Sequence, residues 1–439
     1  MNEQSRAFFR NCLSVLNGSG ETVRDSAVFG FLKDIGYIEA GAINQEVLEN
    51  RSAIINLYLR FDDAFQLPVR GAPGASFWGG MISLDQFGLG EHGKRSVGVG
   101  GKGAGLKQAF ESCAGEAAEF LSFLRRSSDN RVLDTVAEHH LSAEEFQWVE
   151  KSVEPERLKE CGWVRAETIS DSTHVFFPAD LVLRDVSGGF SIESRTESTG
   201  VGAGVTKAHA INSGFLEVIE RDAVAMWWFG GAGGYRLPNA FLEKSGIAAF
   251  VSRVRKGVTR PWWMLDITAD NAVPAVVSLS SDPDGQGVVA GSSAGFSFLH
   301  AAQSAFLEMC QMEFAREISL YRNENKEKHE LNEIDRLWLD RSERLHLDKY
   351  PELFGDLMDY KGLKVQETNL EKSIRKLSDN NFTPYVCELT QKDISIPVFK
   401  TIIPKMQSSK PHIITDRLVE MAYNRRTNLN ESVKKPTII

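Results

Sequence analysis

The chain has 439 residues, of which 42% are hydrophobic and 25% charged, and a formal net charge of −9. This is the composition of a soluble globular chain with ample length for a real core. The acidic balance argues against nucleic-acid binding, and no uncharged apolar run reaches the roughly 18 residues a membrane-spanning helix needs.

Residues 1–60 read as helical, in "QSRAFFRNCLSVL" and "INQEVLENRSAIINLYL". The first residues show no basic stretch followed by an apolar run, so a cytoplasmic location is expected. Residues 66–105 are rich in glycine and aromatics and read as loops and short strands. A helix follows in "LKQAFESCAGEAAEFLSFLRRSS", then polar helical sequence to about residue 160. "THVFFPADLVL" and "FSIESRTESTG" resemble strands. The next helix, "INSGFLEVIERDAVAMWW", is apolar almost all round yet carries Glu217, Glu220, Arg221 and Asp222 in its middle. Unpartnered buried charges cost several kcal/mol, so these need an explanation.

Beyond it, "PWWMLDIT" and "AVPAVVSLSSD" read as a strand pair, with the tryptophans in the core or a cleft wall. The helix "FLHAAQSAFLEMCQMEFAREISLYR" leads into mixed, dense charge over about 316–350, read as an exposed helical insertion. "NNFTPYVCELTQKDISIPVFKTIIPKM" returns to strand character, and the tail 425–439 reads as poorly packed. The organisation expected is therefore an N-terminal helical segment 1–60, a main domain 61–424 and a tail 425–439. Five dispersed cysteines, an odd number, indicate reduced thiols, those within apolar helices acting as small hydrophobes. The pair His139–His140 lacks the spaced Cys or third His of a zinc site.

Three helices share one spaced pattern. Gly is followed by Ala six residues on, Ser nine on, Glu thirteen on, and Glu or Gln sixteen on. The copies are Gly103, Ala109, Ser112, Glu116, Glu119; Gly204, Ala210, Ser213, Glu217, Glu220; and Gly295, Ala301, Ser304, Glu308, Gln311. On a helix of about 3.6 residues per turn, these positions form one stripe. Read singly, such a stripe is surface. Three matched copies favour a functional carboxylate cluster over a structural relic of duplication. If the stripes converge, the carboxylates repel one another unless cations intervene. Mg²⁺ suits carboxylates combined with phosphate oxygens, and glycine turns entering helix N-termini can supply N–H groups to phosphates. On this reading the charges of residues 217–222 face a metal–nucleotide site.

At these residues the sequence resembles the YcaO family. "GGKGAGLKQAFESCAGEAAEF", "STGVGAGVTKAHAINSGFLEVIERDAVAMWW", "HAAQSAFLEMCQME" and "ELTQKDISIPVFKTIIPKM" carry the resemblance, over roughly residues 95–410. It implies an α/β (α+β) fold with sheets packed on three motif helices around an ATP–Mg²⁺ site. Glu116, Glu119, Glu217 and Glu220 would hold Mg²⁺ and phosphates. Lys102, Ser112, Arg221, Glu308 and Gln311 would complete the nucleotide site. It further implies phosphorylation of a peptide amide oxygen, then attack by a Cys, Ser or Thr side chain to give a thiazoline or oxazoline in a ribosomally made precursor peptide.

The partners implied are that peptide, a separate E1-like protein that binds its leader, and a flavin-dependent dehydrogenase. The sequence leaves homo-oligomerisation open. Two departures keep alternatives in play. Val205 and His209 stand where the central motif usually has Asn and Glu, which suits a non-catalytic scaffold subunit. The ending "NESVKKPTII" lacks a proline-rich tail, which suits thioamide or amidine formation by the same activation.

Overall fold

The computed structural model describes residues 3–18, 25–38, 45–89, 96–126, 129–185, 196–270, 273–325, 331–357, 367–409 and 413–438. The chain divides into two compact units. The first comprises Met1–Leu67, Ser76–Phe215 and Pro384–Ile402; the second Pro68–Ala75, Leu216–Thr383 and Ile403–Ile439.

The first unit holds two sheets. Phe61–Gln66, Ser76–Ser83 and Ser96–Gly103 form a three-stranded antiparallel sheet. The region expected as loops and short strands thus contains paired eight-residue strands, with Gly79 opposite Gly100 and Trp78 opposite Gly101. A six-stranded sheet is built around the order 132–133, 163–168, 385–388, 398–402 and 201–203, with His174–Pro178 paired to Trp163–Thr168. The helix Leu106–Phe123 packs on strands of both sheets. Phe9, Tyr58 and Phe110 join it to the N-terminal helices, with Tyr58 and Phe110 stacked at 4.2 Å between centroids. "THVFFP" is a strand, but the following "ADLV" forms a helical turn after Pro178. Residues 190–195 of "FSIESRTESTG" lie outside the described residues.

The second unit carries a five-stranded sheet in the order 289–294, 275–280, 262–266, 235–236 and 356–357, with the expected pair Trp262–Asp266 and Ala275–Ser280 at its heart. The helix Phe298–Asn325 lies on its two longest neighbours. Trp227, Trp228 and Trp263 are core side chains.

Within the charged segment, the helix Glu333–Arg344 packs on Phe298–Asn325. It buries Trp338, and its Asp335 accepts from Ser319 and Arg322. The tail is packed as well: Ser432 and Ile438 are buried, and the Trp228 indole donates to the Pro436 carbonyl at 2.9 Å. That bond spans 208 positions in sequence, so local composition could not reveal it. All five cysteines are unpaired and buried, and burial pushes the Cys12, Cys113, Cys310 and Cys387 thiols up to about 12.

Candidate functional site

Each copy of the repeat is a strand, a short turn and a helix in one register. The strands end at Gly103, Ala203 and Ala294, and the helices start at Leu106, Lys207 and Phe298, each three residues after the motif glycine. The glycines let strand backbone lie against helix backbone. A Cβ on Gly101 would sit 2.1 Å from the Ala109 carbonyl oxygen and 2.3 Å from the Cys113 nitrogen. One on Gly202 would meet the Gly214 nitrogen at 2.3 Å and the Ala210 oxygen at 2.4 Å. The motif alanines Ala109, Ala210 and Ala301 are fully buried beneath these turns. The helix Lys207–Trp228 contributes its first nine residues to the first unit and the rest to the second.

In the first unit the acidic stripe meets strand backbone. Glu116, exposed, accepts from the Gly100 N–H at 2.9 Å. Glu119, half-buried, accepts from the Ala203 N–H at 2.7 Å. The last carboxylate of the first copy thus reaches the strand that opens the second. Ser112 is exposed on the same helix, and Lys102 is half-buried on the preceding strand, opposite Phe77. Val205 is 45% exposed in the turn after Gly204. His209, exposed, has its backbone N–H on Thr206 Oγ1.

The second unit repeats the pattern one copy later. Buried Glu220 accepts from Ser292 Oγ at 2.6 Å, and Ser292 lies on the strand that opens the third copy. Arg221 reaches Glu220 at 3.1 Å and Glu217 at 3.3 Å. Glu308 stands close enough to act on both Glu220 and Arg221. Burial, with the charges of Glu308 and Glu217, raises Glu220 from 4.5 to about 7 against the opposing pull of Arg221 and the Ser292 bond. Gln311 is half-buried one turn beyond Glu308.

The fourth charge of the central helix points elsewhere. Asp222, fully buried, accepts from the Gln407 N–H at 3.0 Å and pairs with Arg417 at 2.9 Å. It fastens the helix to residues 403–417, so it does not belong to the site that the sequence assigned to all four charges.

Sequence reading passed over Ser292. Its position, three before Gly295, is the one Gly100 holds before Gly103, so the register of the copies is the signal that would have found it.

The residues suit a divalent cation. Three carboxylates, Glu217, Glu220 and Glu308, face one guanidinium, and the upward shift of Glu220 comes first from burial, with Glu308 and Glu217 adding to it. Among the described residues no three His, Cys, Asp or Glu side chains form a ready-made metal cage. Mg²⁺ needs none, because it is commonly held by one or two carboxylates together with substrate phosphates.

A family model described as YcaO cyclodehydratase, ATP- and Mg²⁺-binding, matches residues 100–407. The chain belongs to the YcaO family. ATP and Mg²⁺ are the cofactors of that domain. The structure resembles a heterocyclase in complex with substrate and cofactor, with TM-score 0.63 and 20% identity over 85% of this chain and 54% of that one. This chain therefore spans about half the length of that protein. It also resembles YcaO from Methanopyrus kandleri bound with AMPPCP and Mg²⁺, with TM-score 0.58 and 16% identity over 84% of this chain and 92% of that one. A third likeness is to the E. coli microcin synthetase McbBCD complex with pro-MccB17 bound, with TM-score 0.56 and 14% identity over 78% and 87% of the two chains. No curated protein matches the sequence. No helix among the described residues is long and apolar enough to cross a membrane.

Proposed function

We propose that the chain is an ATP-dependent peptide cyclodehydratase, converting Cys, Ser or Thr of a ribosomally made precursor into thiazoline or oxazoline. The observation that carries this reading is the register-matched set of strand–turn–helix copies whose final carboxylates, Glu119 and Glu220, each engage the strand of the next copy.

Glu116 and Glu119 in the first unit, and Glu217 and Glu220 in the second, are the residues that would hold Mg²⁺ and, through it, phosphate. Lys102, Ser112, Arg221, Glu308 and Gln311 would line the nucleotide. Bound ATP supplies a phosphoryl group, which turns a poor leaving group, the amide oxygen, into phosphate. Arg221, held by Glu217 and Glu220, would offset negative charge on the phosphoryl group. Ser292 orients Glu220, so that its carboxylate is set before a cation arrives. Over the reaction one ATP becomes ADP and phosphate, and the peptide loses one water. An E1-like leader-binding protein would present the peptide, and a flavin-dependent dehydrogenase could oxidise the product.

Mass spectrometry of a Cys-containing precursor, incubated with the chain, its leader-binding partner, ATP and Mg²⁺, tests the proposal. Loss of one water per modified residue supports it. Exchange of oxygen for sulfur in the presence of sulfide would favour thioamide formation instead. Absence of ATP binding would identify a scaffold subunit instead, as exposed Val205 and His209 would suit.

A further inference from the structure

The turn that opens the central motif is held from two sides within the first unit. Glu119 accepts from the Ala203 N–H, and two residues on Asn50 Nδ2 donates to the Val205 carbonyl at 3.4 Å. Asn50 lies on the helix Gln45–Leu59, outside every motif copy, and is only 9% exposed. A side-chain amide has two N–H donors and one oxygen acceptor. Here one donor makes one long bond, and the amide oxygen accepts from none of the described residues. The oxygen is not one of the fully enclosed atoms left without a partner, so it stays open to solvent and to a ligand.

Its helix is firmly placed. The neighbouring Arg51 donates to the Tyr37 carbonyl at 2.7 Å, and Tyr58 donates to the Phe110 carbonyl of the first motif helix at 2.8 Å. Asn50 is therefore a fixed polar group held against the backbone of the turn that opens the central motif. The apolar residue it touches, Val205, stands where the resemblance expects an asparagine.

We infer that Asn50 is a binding residue of the Mg²⁺–nucleotide site, its amide taking the place that Val205 leaves without a polar side chain. The oxygen would meet the cation or one of its waters, and the remaining N–H a phosphate oxygen. Both are the neutral contacts an asparagine can offer. This inference rests on the cyclodehydratase reading, since it presumes that ATP and Mg²⁺ bind.

Calorimetric titration of ATP into the full chain with excess Mg²⁺ tests it without using turnover. Asn50→Ala is expected to weaken ATP binding about tenfold, and Asn50→Ala with Val205→Asn to return it to within about threefold of the parent. Asn50→Ser, smaller but still polar, serves if the alanine variant does not fold, and thermal melting without nucleotide reports the fold of each. Parental affinity in the single variants overturns the inference. So does a double variant as weak as Asn50→Ala, because a purely structural asparagine is not replaced from position 205. A parent chain that binds no ATP sinks the cyclodehydratase reading itself, and with it this inference.

Discussion

Glu220 sits where burial and two neighbouring carboxylates oppose its ionisation while Arg221 and Ser292 favour it, and the balance falls toward the protonated form. An acid raised from 4.5 to about 7 binds more protons folded than unfolded across that interval. Its contribution to stability is therefore complete below the lower value and is lost as pH rises through the upper one. Without nucleotide or metal, the melting temperature is expected to fall between about pH 5 and about pH 8 more steeply in the parent than in Glu220→Gln. Parallel curves would remove the assignment. Mg²⁺ needs the carboxylate, so its affinity should rise over the same interval.

Asp222, two positions on, is fully buried and paired with Arg417 at 2.9 Å. Removing one member of a buried pair typically costs about 3–5 kcal/mol. For Asp222→Asn the low end, about 3 kcal/mol, is expected, because Asp270 still faces Arg417. Denaturant unfolding would measure this, and a change below about 1 kcal/mol would show that the pair is not what anchors residues 403–417. Sequence could not separate these two acids. Both lie on one apolar helix, and only the chain far downstream distinguishes them.

Among the elements, the strand–turn–helix copies were legible because a helical stripe has a fixed period and three copies share it. The strand before the first copy was legible only as part of a region of loops and short strands. "SVGVGGKG" has the glycine content of a loop, but at Gly101 and Gly103 it is nearby backbone that leaves no room for a Cβ. Gly202 makes the point testable. Gly202→Ala would place a methyl group against the backbone of Ala210 and Gly214, where neither neighbour can rotate away. A destabilisation of about 1–3 kcal/mol is expected, as for other overpacked sites. Gly105→Ala is the control, since nothing lies within 4 Å of its Cβ position. Equal melting temperatures for the two variants would refute the close-approach account.

For the chain as a whole, the tail shows most clearly what composition hides. Residues 425–439 carry four basic side chains, Arg425, Arg426, Lys434 and Lys435, beside few large apolar ones, which reads as solvated. Their stability is borrowed from the end of the central motif helix. The last residue of that helix, Trp228, presents its carbonyl to Lys435 Nζ at 2.9 Å and to Ser432 Oγ at 3.5 Å, while its ring lies 4.8 Å beneath the same ammonium. A cation at a helix C-terminus is favoured by the helix dipole, by about 0.3–1 kcal/mol where exposed and more where partly buried. Lys435 is also held by Glu352 at 2.6 Å.

Deleting residues 428–439 should therefore strip the cap, uncover Trp228 and leave its indole N–H without the Pro436 carbonyl. The expected result is a lower melting temperature together with a red shift of tryptophan emission, because a fully buried ring becomes wetted. Lys435→Ala should lower the melting temperature less, and with no shift in emission, since the ring stays covered by the remaining tail. An unshifted spectrum in the truncated chain would mean that Trp228 is shielded by the rest of the second unit alone, and that the tail adds no more than its charges.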